Sequence, residues 1–148
     1  MPRLVTRLTA PRPVPSGFGG WALTLARWAS ALVFIVFGAG KFVNHMSETS
    51  SFRGYGLPVP GVFAGAVGVL ELLGGLLLLA GLLTGPTALA LALDMVAAII
   101  LSGILHGEEV SLTLAPLLLI VMAAMLTLGP GRLSLDNRPG VRRSQLVS

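Results

Sequence analysis

Residues Gly61 to Leu83, GVFAGAVGVLELLGGLLLLAGLL, form an unbroken apolar run whose single charge is Glu71 near its middle. A helix of that length crosses a hydrocarbon core about 30 Å thick at about 1.5 Å per residue. Placing a carboxylate in lipid costs several kcal/mol, so Glu71 demands a partner or a polar cavity. Gly61, Gly65, Gly68 and Gly75 follow one another at spacings of 4, 3 and 7. That pattern lays a smooth stripe along one side of the helix, against which a neighbour can pack closely. Glu71 flanks the stripe and is predicted to point into a helix bundle.

The rest of the chain repeats the membrane signature. Only 11% of the 148 residues are charged and 54% are hydrophobic, whereas a soluble domain carries about a quarter charged residues. Three further apolar runs, roughly Trp21–Val43, Thr87–Leu105 and Leu112–Leu128, read as spans. The first is longer than a signal-peptide core and is followed by three more, so it reads as a retained span. The expected fold is all-α: an integral membrane four-helix antiparallel bundle over 21–129. A proline-rich basic tail, 1–20, precedes it, and a basic tail, 130–148, follows. The longest connection, Asn44–Pro60, contains Pro58 and Pro60, which bar a continuous helix. The short turn Thr84-Gly85-Pro86 makes spans two and three antiparallel neighbours.

Charge sets the expected orientation. Seven of the ten basic residues lie in the tails: Arg3, Arg7, Arg12, Arg132, Arg138, Arg142 and Arg143. The loop at 106–111 carries Glu108 and Glu109 and no cation. By the positive-inside rule both termini are expected to be cytoplasmic. The same distribution argues against nucleic acid as a partner despite a formal charge of +4, because the cations sit at helix ends rather than on one face.

Cysteine is absent, which removes disulfides, thiolate-held clusters, covalently attached haem and a thiol nucleophile. Paired histidines at mid-membrane depth are also missing, so no haem-type site is expected. The GAGKF at 38–42 lacks the first glycine and the final hydroxyl of a phosphate loop, having Ile35 and Phe42 instead. His45 and His106 follow spans one and three near Glu48, Glu108 and Glu109. Imidazole and carboxylate together can hold a divalent metal, but no spacing here is diagnostic, and solvated loop residues are the simpler reading.

Four charges fall within the spans: Arg27 and Lys41 on span one, Glu71 on span two and Asp94 on span three. Counting rise per residue from the inner edge gives depths of about 8 Å for Arg27, 10 Å for Asp94, 18 Å for Glu71 and 28 Å for Lys41. Arg27 and Asp94 match in level and can pair. Glu71 is further from either cation and, within boundary errors of about two to four residues, can reach either or stay protonated. These groups read either as clamps that fix helix packing or as a ligand or proton site.

The ordered set of Arg27 opening span one, FGAGKF at 37–42, YGLPVP at 55–60 and GVLELLGGLLLLAGLLT at 68–84 resembles the DoxX family of small four-span bacterial membrane proteins. The resemblance covers spans one to three, about 27–105. It implies a multi-pass protein associated with membrane redox systems, including thiosulfate- and quinone-linked ones, and with oxidative or thiol stress. The family's polar positions fall on Arg27, Lys41 and Glu71; Asp94 is added on physical grounds. The first expectation is an accessory subunit of a redox assembly, not catalytic on its own. It carries no covalent cofactor and has quinone as the candidate ligand near Glu71. Its partners are the bilayer and either redox proteins or further copies of the chain. A small transporter using the intramembrane charges and a structural scaffold are the alternatives.

Overall fold

A computed structural model describes residues 17–138. Most of the expected tails, with Arg3, Arg7, Arg12, Arg142 and Arg143, lies outside the described residues. Four helices are long and apolar enough to cross a membrane: α1 (Phe18–Val43), α3 (Pro60–Ala80), α4 (Thr84–Ala98, continued by a π-helical stretch Ile99–Ile104) and α5 (Glu109–Leu128). Each begins a few residues before the expected span. Between the first two lies a short polar helix, α2 (His45–Gly54), where the sequence reads as a loop. Its composition has no apolar stripe to announce it. Asn44 turns the chain with only a brief break, HMSETSSFRG contains no proline, and Gly61 of the next helix leaves room for His45 and Thr49 to pack against it.

The closest helix pair is α1 with α3, and glycine is the reason. A methyl group at Gly38 of α1 would stand 2.5 Å from the Leu72 backbone nitrogen and 2.9 Å from the Gly68 carbonyl. One at Gly75 would stand 2.9 Å from the Ala31 carbonyl. The expected stripe is therefore only partly right. Gly68 and Gly75 face α1, and Gly61 faces His45 and Thr49 of α2, but nothing lies within 4 Å of a side chain built at Gly65. Two other glycines do what Gly65 was expected to do: Gly38 from the α1 side, and Gly74, which admits Leu91 of α4 at 3.1 Å.

The end of the bundle that holds the starts of α1 and α4 is closed by a plate. After α5 the chain turns back over the helix ends, so residues 129–138 are an ordered cover rather than the start of a loose basic tail. Asp136 accepts hydrogen bonds from the Leu83 and Thr84 amides, both at 2.9 Å. It thereby caps the start of α4, satisfying donors that no intrahelical carbonyl can reach. Ser134 donates to the Gly81 carbonyl at 2.6 Å, and the Arg132 amide donates to Thr24 at 3.0 Å. Residues 20–24 and 131–132 thus meet, and both termini of the described chain lie at this end. Beneath the plate Leu78, Ala88, Leu91, Met122 and Met125 form the packed core.

Candidate functional site

Three ionisable side chains from three of the spanning helices converge inside the bundle. Lys41 Nζ of α1 lies 2.8 Å from Glu71 Oε2 of α3, with the two side chains only 12% and 6% exposed. Asp94 of α4 lines the same cavity, and its Oδ2 is buried without a hydrogen-bond partner among the described residues. Because α4 starts at Thr84 rather than Thr87, Asp94 sits about 15 Å along it, deeper than the sequence count places it.

One geometric rule explains both the pair that forms and the pair that does not. Helical side chains lean toward the N-terminus of their own helix. Lys41 is near the C-terminal end of α1, so it leans back into the membrane, its Nζ 5.9 Å from the Phe37 ring centroid. Glu71 is on the antiparallel α3 and leans the opposite way, toward Lys41. The close approach at Gly68, where an added methyl would be 3.1 Å from Lys41 Cβ, brings the two stems together. Arg27 leans outward from the bundle's middle by the same rule, into the plate. Its guanidinium donates to the Leu78 carbonyl at 2.8 Å and to the Leu133 carbonyl, and the residue is fully buried. The Arg27–Asp94 pair that their matching levels allow is therefore absent. Arg27 holds the end of α3 to the returning chain, and Asp94 faces the cavity.

The cavity has a volume of about 410 Å³. Its walls are residues 33–41 of α1, 48–57 around α2, 63–71 of α3, 94–102 of α4 and 108–118 around α5. Every helix contributes, but only with the half nearer α2. Phe34, Phe37, Phe52 and Phe63 supply apolar surface, and Lys41, Glu71 and Asp94 line the same space. That combination of apolar walls with a few convergent polar groups, at this volume, is what small-molecule sites look like.

Where the cavity meets the α2 end, a hydrogen-bonded cluster that the sequence reading did not single out lines it. Tyr55 Oη lies 3.0 Å from Ser102 Oγ, and Ser102 donates to the Glu108 carboxylate. Ser111 also donates to Glu108, at 2.9 Å. The π-helical stretch Ile99–Ile104 contains Ser102; widening the helix by one residue per turn is a common device next to functional groups. A lone serine and glycine in an apolar run were the available signal for it.

The histidines do structural work in this arrangement. The His106 ring nitrogens face the Leu101 and Gly54 carbonyls, the latter at 3.0 Å. The ring lies 4.8 Å from that of Tyr55, which ties α2 to the end of α4. His45 packs beside Gly61. Among the described residues no three His, Cys, Asp or Glu side chains are grouped to hold a metal ion.

Comparison with known proteins fits this architecture. The DoxX family profile matches residues 22–107, which include Arg27, Lys41, Glu71, Asp94 and the π-helical stretch. An uncharacterized membrane protein of Mycobacterium tuberculosis, Rv3486, is 34% identical over 125 residues, covering 72% of this chain and 74% of its own. No solved structure matches the chain. On its matched core and its four apolar helices, the chain belongs to the DoxX family and is a multi-pass bacterial membrane protein.

Proposed function

We propose that the protein is the membrane subunit of a redox assembly and that its cavity receives the head of a quinone. The observation that carries this reading is the convergence of Lys41, Glu71 and Asp94 on a largely apolar, aromatic-walled cavity of about 410 Å³. A packing scaffold needs its charges paired and dry, yet Asp94 keeps an unpartnered oxygen within this space. A quinone supplies two-electron, two-proton chemistry, and the electrons come from a partner protein, since this chain holds no cysteine and no haem-type histidine pair. The residues fit such a head group: Lys41 offers N–H donors to a ring oxygen, Asp94 and Glu71 can hold protons beside it, and the phenylalanines supply apolar surface for the ring. By the positive-inside rule the Arg27 end is cytoplasmic, in the inner membrane.

The test is purification from native membranes in mild detergent, with extraction of lipids and identification of co-purifying quinones and proteins. The expected result is quinone retained by the unaltered chain and lost from Asp94→Asn and Glu71→Gln, with a redox protein in the same fraction. Absence of quinone from the native complex, or full quinone-reducing activity in Glu71→Gln, sinks the reading.

A further inference from the structure

The cavity lies in the α2 half of the bundle. On the Arg27 side of Lys41, Glu71 and Asp94, the bundle is filled by Leu78, Leu91, Met122 and Met125. Beyond them lies the plate, in which fully buried Arg27 is bonded to the Leu78 and Leu133 carbonyls. No residue of that half lines the cavity. On the α2 side the lining is mostly apolar but carries a polar cluster at its end. Exposed Glu108 accepts from Ser102 and Ser111, and Ser102, only 5% exposed, meets Tyr55. Ser102 and Asp94 are eight residues apart on α4, about 12 Å of rise. The cavity spans that interval and is roomy and polar enough to hold bridging water.

We propose that Asp94 and Glu71 exchange protons with one aqueous side alone, the α2 side, and that Glu108 with Ser102 forms the entry. This rests on the reading of the cavity as the working site but does not depend on which ligand fills it. Glu108 is suited to the task because it joins solvent to a buried hydroxyl. Carboxylates and hydroxyls both accept and donate protons, so a chain of them can pass one along without the residues moving apart. The titratable groups that face Asp94 from the surrounding elements are Lys41 of α1, Glu48 and Tyr55 around α2, Glu71 of α3, and Glu108 before α5. The segment of α5 that lines the cavity adds none. Glu48 shares the mouth but, among the described residues, belongs to no hydrogen-bonded chain there.

The experiment uses the full chain in sealed vesicles of one orientation. The infrared carboxyl band of Asp94, assigned by its loss in Asp94→Asn, is followed after a pH jump on either side. The band should respond to a jump on the α2 side and not on the other. Glu108→Gln and Ser102→Ala should each slow the response at least tenfold, while Glu48→Gln leaves it unchanged. A response from the Arg27 side, from both sides or from neither overturns the proposal. So does an unslowed response in Glu108→Gln. Because the chain has no cysteine, Ala98→Cys gives a second readout. A membrane-impermeant thiol reagent should label it from the α2 side alone, and labelling from the Arg27 side overturns the proposal independently. Quinone retention is measured in the unaltered protein alongside the Glu108→Gln preparation. Absence of quinone from the unaltered protein defeats the quinone reading and leaves one-sided access standing. Retained quinone with two-sided access does the reverse.

Discussion

Lys41 and Glu71 form an ion pair that each needs to stay buried. Removing one partner leaves an uncompensated charge in a low-dielectric site, which costs roughly 3–5 kcal/mol. Glu71→Leu is therefore expected to lower the thermal midpoint in detergent sharply. The double variant Lys41→Met, Glu71→Leu recovers most of the loss, because an apolar pair of similar volume is close to neutral. A double-mutant cycle in one detergent measures the coupling; additive losses would show that the pair is not held as the 2.8 Å contact implies. All four intramembrane charges were visible in the sequence, but half of their partners were not. Depth counting treats a side chain as a point at its own Cα. Arginine and lysine reach several ångströms along the helix, in a direction set by the helix's own polarity, and that is enough to exchange one pairing for another.

At the scale of helices, close packing rests on positions where a side chain has no room. Gly38→Ala puts a methyl group 2.5 Å from backbone, which neither α1 nor α3 can yield cheaply. A loss of about 2 kcal/mol or more is expected, in the range of overpacking a well-filled core. Gly65→Ala meets nothing within 4 Å and should be neutral or slightly stabilising, since alanine is the better helix former. Thermal unfolding of the two variants side by side checks both. Asp136→Ala removes the cap of α4 and is expected to cost about 1 kcal/mol, with Asp136→Asn retaining part of the effect. The existence and order of the four spans followed directly from apolar run length. The π-helical stretch and helix α2 did not, because each depends on tertiary contacts: Ser102 with Glu108 and Tyr55, and Gly61 with His45 and Thr49.

Taken as one body, the protein has a sealed half and an open half. The seal depends on residues after α5, the stretch that composition alone reads as a tail. Truncation after Gly129 removes the Leu133 carbonyl, Ser134 and Asp136 together. It should destabilise the bundle by more than Asp136→Ala alone, and proteolysis in detergent micelles would register the difference. Basic residues in that stretch drew attention to its charge, whereas its contribution comes from a carbonyl, a hydroxyl and one carboxylate. The sealed half has an electrical consequence as well. A proton that travels from the α2 face to Asp94 crosses about half of the membrane's field, and a unit charge crossing all of it gains or loses about 2.3 kcal/mol per 100 mV. With the proposed one-sided access and the α2 face outward, occupancy of Asp94 and Glu71 would follow the membrane potential by about 1 kcal/mol per 100 mV, and an energised cell would load the site with protons that a de-energised one leaves outside.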